Sequence, residues 1–317
     1  MKKSDLEGIK GIYRIIEHEK YIVLVGKKLW IFDDNYCLIA CRSDLSNSYK
    51  VAFLPDNTML IDGGKNAYHL ISLSDGREIW NIPQSKKEFG SNRFTLSPKS
   101  DFAYDYYVFK GNLYFVTINL LLGTLDSYQI EKELRSTVDI MCDDDGVPCL
   151  LQEHFSNIAG ISKSENGILY QHQDEINKGS SYYWKAKWQF DGTRISLCFL
   201  YDVNTVLTND LWVYDAECGS MYNLLENETT LPPMVELPIW CKFDRSKQYL
   251  IIMYKKFNLV VDIQKRKIVA RYAVNYSEGC LIGDTFWFNS QAGIVGKPFP
   301  LIEEISPDKL SYWSTNP

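Results

Sequence analysis

A repeat of short apolar runs and polar turns, with a step of roughly 45 residues, limits what this chain can fold into. The plainest copy is Cys241 to Val274. Cys241–Phe243 enters the polar turn Asp244-Arg245-Ser246-Lys247, and the apolar run Tyr249–Tyr254 is turned by Lys255-Lys256. Asn258–Ile263, the turn Gln264–Lys267 and Ile268–Tyr272 complete four strands. A marker turn between the first two strands recurs at Pro55, Pro98, Asp144, Asp191 and Asp244, in steps of 43, 46, 47 and 53 residues. Weaker copies at Glu17–Lys20 and Gly283-Asp284 bring the total to seven. A second marker runs out of phase with the first. It is the hairpin between strands three and four, as in Leu29–Arg42, Tyr68–Pro83, Leu113–Ile130, Ala159–Gln173, Leu211–Leu225 and Leu259–Tyr272. The Asp-Gly, Asn-Gly and Cys-Gly-Ser turns in these hairpins suit the positive φ that glycine accepts.

Several second strands, Tyr21–Val25, Tyr249–Tyr254 and Ile195–Tyr201, are apolar without alternation. A sheet with one wet face would alternate, so these runs point to burial on both faces. Sheets sandwiched between neighbours around a ring meet that condition. Helical periodicity is short even in the best candidate, Ser127–Arg135. A pair of sandwiches would not carry one period through the whole chain. The expected fold is therefore all-β: a seven-bladed β-propeller of four-stranded antiparallel blades in one domain. The blades are expected over 9–45, 48–84, 92–132, 136–174, 184–227, 238–275 and 278–305, with 306–317 as a tail.

The pattern F-x-P-D-N/G-x-x-L followed by L-x-V/I-x-D resembles the repeats of WD40-like and related bacterial propellers. Phe243-Asp244-Arg245-Ser246 with Leu259-Val260-Val261-Asp262 carries the resemblance best. Ser72–Trp80, SLSDGREIW, is similar to the ending of PQQ-type propeller repeats. The WD40 histidine and terminal Trp-Asp are absent from every copy, so the resemblance implies architecture and transfers no functional residue.

Aromatic residues make up 14% of the chain, which suits pleated, buried surfaces. Net charge is −6 and pI about 5.4, with Lys and Arg scattered among more numerous acids. A duplex-binding surface needs clustered cations, so nucleic acid is a poor fit. The opening MKKSDLEGIKGIYRIIEHEK lacks the apolar core of a signal peptide, and no run approaches 18 apolar residues. The eight cysteines show no paired spacing and read as free, mostly buried thiols. Together these point to a monomer in the cytoplasm, with no membrane contact.

Chemical motifs are sparse. Asp143-Asp144-Asp145-Gly146 coincides with a marker turn and lacks the distal Glu of a calcium loop. His18, His69, His154 and His172 lie in separate copies without metal spacing. Gly63-Gly64-Lys65 lacks the other residues of a phosphate loop. No cofactor is expected. Ser180–Trp188 interleaves aromatics with lysines and could stack a sugar or base, or could simply be a first strand.

Links between successive copies, and between second and third strands, share one face of such a fold. Pro83–Arg93, Gln173–Tyr183, Asp202–Asn209 and Glu226–Pro238 exceed the minimum there. The expected function is a non-catalytic protein–protein interaction scaffold using that face, with Arg93, Tyr183, Trp184, Asn204 and Trp240 at the contact. The alternative is an enzyme or binder of a glycan or small ligand at the channel mouth.

Overall fold

Polar turns every few residues leave each apolar run no partner closer than its sequence neighbour, so the chain folds as successive up-and-down hairpins. The computed structural model describes residues 6–46, 50–63, 67–84, 89–90, 94–129, 137–142, 148–154, 157–165, 168–171, 197–200, 205–208, 211–215, 220–227 and 240–303. No helix occurs among them, and their strands form seven antiparallel sheets.

The first sheet is β1 (Ile12–His18), β2 (Tyr21–Gly26), β3 (Leu29–Asp33) and β4 (Leu38–Arg42). The second is β5 (Val51–Phe53), β6 (Thr58–Gly63), β7 (Ala67–Ser72) and β8 (Glu78–Pro83). The third contains β9 (Phe89–Gly90), β10 (Thr95–Leu96), β11 (Phe102–Phe109), β12 (Asn112–Asn119) and β13 (Thr124–Gln129); β9 and β10 both pair with β11. The fourth is β14 (Thr137–Cys142), β15 (Pro148–His154), β16 (Asn157–Glu165) and β17 (Ile168–Gln171). The fifth is β18 (Leu197–Leu200), β19 (Thr205–Thr208), β20 (Trp212–Asp215) and β21 (Ser220–Asn223). The sixth is β22 (Trp240–Phe243), β23 (Tyr249–Met253), β24 (Phe257–Asp262) and β25 (Lys267–Ala273). The seventh has β26 (Cys280–Ile282), β27 (Thr285–Ser290) and β28 (Gly293–Pro298).

One expectation needs correcting. Asp202–Asn209 is not a plain link, because Thr205–Thr208 within it is β19. Its β-branched and apolar residues, TVLT, pair with β18 and β20.

The marker turn has a concrete job in the sixth sheet. The Asp244 carboxylate accepts the Tyr249 amide at 2.7 Å, and the Ser246 amide and hydroxyl at 3.0 and 2.5 Å. These bonds pin the turn while Lys247 takes φ +59°. Asp56 holds the amide and hydroxyl of Thr58 in the same way. Removing a carboxylate with three such bonds costs about 2 kcal/mol. Asp244→Ala is expected to lower the urea midpoint accordingly with an unchanged m-value; an unchanged midpoint would refute this role for the turn.

Where side chains are described on both sides, consecutive sheets face each other through apolar layers. All six residues of β2 are buried. Tyr21, Val23 and Val25 meet Met59 and Ile61 of the second sheet. Leu60 and Tyr68 of the second sheet meet Ala103 and Val116 of the third. Leu211 and Val213 of the fifth sheet and its edge pack on Leu250 and Leu259 of the sixth, and Ile251 and Val260 pack on Phe286 and Phe288 of the seventh. The seventh sheet then meets the first: Trp287, Cys280 and Ile282 pack against Ile12, Ile15 and Ile22.

The amino-terminal segment seals that last seam. Gly8 donates its amide to the Ile294 carbonyl at 2.9 Å, and Ile294 donates to the Ile9 carbonyl at 3.0 Å. These residues run along the outer side of β28, and Leu6 is buried beneath them. Gly293 permits this approach. It has φ +115°, and a Cβ there would lie 2.7 Å from the Gly8 carbonyl.

Residues 301–303 take a different course. They leave the seventh sheet and lie parallel to β25, with Ile302 paired to Arg271.

Candidate functional site

The first strands of four sheets, β1, β5, β22 and β26, surround a cavity of about 280 Å³. Its wall combines the cations Arg14, Lys242 and Arg245 with Glu17 and the rings of Phe53 and Phe243. Just behind the wall, Glu278, in the link that leads into β26, ties the first and sixth sheets together. Arg14 Nε of β1 donates to its Oε2 at 3.0 Å, and Lys242 Nζ of β22 donates to its Oε1 at 2.6 Å. Lys242 also donates to the Ile15 carbonyl at 3.0 Å. Burial alone would raise the Glu278 carboxyl, but Lys242 and Arg14 outweigh it and hold it below its ordinary range.

A second buried network joins the second and third sheets. Lys50 Nζ reaches Asp105 at 2.5 Å and Asp62 at 3.5 Å, and the Tyr68 hydroxyl donates to Asp105 at 2.6 Å. Burial, followed by the facing Asp105, pushes the Tyr68 hydroxyl well above the ordinary phenol value. Both networks sit where apolar layers meet, so they act as cross-braces between sheets.

At the turn end of the cavity, burial raises the Glu17 carboxyl, with Arg245 at 3.7 Å working against it. His18 stacks on Phe53 with ring centres 4.2 Å apart, and burial lowers its pKa. Its buried Nε2 has no hydrogen-bond partner among the described residues. Burial also pushes the Cys280 thiol up, so it is a wall group and a poor nucleophile. The cavity's charged groups are thus bound to one another, an arrangement that fixes shape more than it transfers protons.

The two described histidine side chains, His18 and His69, do not converge. His69 lies on β7, bonded to Glu78 at 2.7 Å and to the Gly63 carbonyl at 3.2 Å, while His18 ends β1. His172 and the His154 side chain lie outside the described residues, as do Asp143–Gly146 and Ser180–Trp188. Among the described residues no group of three metal-binding side chains occurs. The Cys241 and Cys280 thiols are buried, but those of Cys37 and Cys41 are exposed. No described helix is long and apolar enough to cross a membrane.

Of the expected contact residues, Arg93, Tyr183, Trp184 and Asn204 lie outside the described residues. Trp240 begins β22, paired with Met253 on β23. An unexpected surface feature stands on the third sheet instead. The β12–β13 turn presents Leu121 and Leu122, 86% and 69% exposed. The turn is rigid. Asn119 accepts the Leu122 amide through its side chain at 2.8 Å and the Gly123 amide through its carbonyl at 3.0 Å. Trp80 of β8 braces the turn from the neighbouring sheet, donating to the Leu120 carbonyl at 3.1 Å. Its ring lies 3.0 Å from where a Cβ on Gly123 would be, so only glycine fits there at φ +62°. Three leucines in a hairpin turn were the available sequence signal; turns are normally polar.

No protein-family model matches the chain, and no curated protein matches its sequence. Solved structures do. The β-propeller domain of Cps50 (Swd1) from Myceliophteria thermophila aligns over 90% of this chain and 98% of its own length, with TM-score 0.55 and 10% identity. The chain is a β-propeller. Hydrazine synthase from Kuenenia stuttgartiensis aligns over 92% of this propeller and 96% of its own chain (TM-score 0.57, 11% identity). The computationally designed Ika8 protein aligns over 92% and 98% (TM-score 0.55, 12% identity). An enzyme and a designed protein share the propeller's fold, so the fold leaves function to be argued from particular residues.

Proposed function

We propose that this propeller is a non-catalytic protein-interaction scaffold with seven blades of four antiparallel strands. Seven described sheets, and a seventh completed by Gly8 and Ile9, support that blade count. The observation that carries the interaction role is the rigid, exposed Leu121-Leu122 pair. Large exposed apolar side chains on a fixed mount are a usual mark of protein contact, because burial against a partner releases their hydration. Holding the turn rigid lowers the entropy lost on binding. The partner is another protein. A contact on the link-bearing face, at Arg93, Tyr183, Trp184, Asn204 and Trp240, is a separate one, because a turn between third and fourth strands such as Leu121-Leu122 lies on the opposite face. The scaffold works as a monomer in the cytoplasm, where exposed thiols such as Cys41 stay reduced.

The alternative, a glycan- or small-ligand-acting propeller, rests on the inner cavity. At about 280 Å³ it falls just below the usual range for ligand pockets, and its charges are already paired. Magnitude therefore favours the scaffold.

The test is affinity purification from the native cell with Leu121→Ser/Leu122→Ser beside the unaltered chain. Stability should change by less than about 0.5 kcal/mol, as for other surface sites. A stoichiometric partner protein should be captured by the unaltered chain and lost with the variant. Equal capture by both removes the leucine pair from the interface, and no partner with either sinks the scaffold reading.

A further inference from the structure

The outer edge of the sixth sheet differs from an ordinary propeller edge because part of the chain already lies on it. Arg271 donates its amide to the Leu301 carbonyl at 2.8 Å and accepts the Glu303 amide at 2.9 Å. Its guanidinium Nε donates to the Glu303 carbonyl at 2.8 Å. The Glu303 side chain is received separately. The Ala273 amide donates to Oε2 at 2.7 Å, and Lys297 Nζ reaches Oε1 and Oε2 at 2.7 and 2.8 Å. Lys297 belongs to β28, so two adjacent sheets build this carboxylate receptor. Leu301 packs on the apolar layer between them, while Ile302 is 61% exposed.

The contact is specific yet slight. Its ladder is two backbone bonds at a single residue, and its ion pair is partly solvated on both sides. An uncovered strand edge of this kind accepts foreign strands readily, with backbone bonds giving affinity and alternate side chains giving selectivity. Here the chain's own segment displays what the edge selects: an apolar residue, any residue, then Glu, running parallel to β25.

We infer that the β25 edge is a peptide-docking site for an extended partner segment of the pattern apolar–any–Glu, and that residues 301–303 occupy it as an intramolecular stand-in. The segment thereby keeps the edge closed until a partner strand competes for Arg271, Ala273 and Lys297. The inference extends the scaffold reading to a second contact with defined chemistry. It does not involve Leu121 or Leu122, so either can fail alone.

The probe is a fluorescent peptide of residues 299–306, FPLIEEIS, titrated by anisotropy against the full chain and against Leu301→Ala/Glu303→Ala. Freeing the site should tighten peptide binding by about tenfold or more, because the competent fraction of the protein rises. Lys297→Ala in the same background should abolish binding, as should Gln in place of Glu at the fifth peptide position. Hydrogen exchange at the Arg271 and Glu303 amides reports opening. Faster exchange without peptide binding overturns the site, and unchanged exchange overturns the displaceable stand-in. A scrambled peptide that binds equally well also overturns it. Glu303→Gln, a milder change, serves the same comparison where the double variant loses its cooperative melting.

Discussion

Glu278→Gln is expected to destabilise the propeller by about 3–5 kcal/mol, the usual cost of removing one partner from a buried ion pair. The carboxylate is 8% exposed and meets Arg14 and Lys242 from two different sheets. Glutamine keeps the shape and removes the charge, so both cations lose the anion they were desolvated against. The melting temperature should fall by about 10 °C. The pH profile gives a sharper signature. The folded carboxyl titrates below its ordinary 4.5, so its contribution is complete above that value and fades as pH falls through the lower folded value. His18 adds an earlier limb of the same sign. Its folded pKa lies below 6.5, so acidification from there downward favours the unfolded chain, which takes up the proton first. The variant should keep the His18 limb and show a shallower loss below pH 4.5. Denaturant midpoints measured from pH 3 to 8 would decide, and a variant with the parent's midpoint at neutral pH would remove the triad as a brace.

Trp287→Ala should cost a similar amount, about 3–5 kcal/mol, for an unrelated reason. Trp287 is 1% exposed in the layer joining the last sheet to the first. Truncation opens a cavity against Ile12, Ile15 and Ile22, at the seam where the ring must close. Its buried indole N–H has no hydrogen-bond partner among the described residues. Trp287→Phe is therefore expected to cost much less, under about 1.5 kcal/mol, since it discards an unpaired donor while keeping an aromatic ring. Hydrogen exchange supplies the spatial readout. The Gly8 and Ile294 amides, which bond the amino-terminal segment to β28, should exchange faster in the alanine variant than amides of β11 and β12. Uniform acceleration throughout would mean that the seam has no separate stability.

The architecture was legible because it is written locally. Asp244, Asp56 and Ser97 mark turns through bonds to residues two to five positions on, and β2 announces two-sided burial through six consecutive residues. The fifth sheet was misread where β19 is short. Thr205–Thr208 offers four residues between polar neighbours, too little for a pattern to separate strand from link. The buried networks could not be read at all. Arg14 and Glu278 are 264 positions apart, and either alone looks like an ordinary surface charge. The Glu303 receptor was hidden for the same reason, since half of its contacts are backbone amides with no sequence signature. Leu121-Leu122 is visible in the sequence, but within the Leu113–Ile130 hairpin an apolar run continuous with the third strand reads as strand rather than turn.

The bond between Gly8, Ile9 and Ile294 sets an order of events during synthesis. The segment around Leu6 leaves the ribosome long before the strand it must join, which is translated about 285 residues later. At roughly 5–20 residues per second that wait is about 15–60 s, long against the microseconds in which hairpins form. Throughout it the first sheet has its apolar face toward the seventh uncovered, so the nascent chain carries an adhesive surface until its final strands arrive. Ring closure is consequently the last step of folding, and demand for a chaperone should peak just before it.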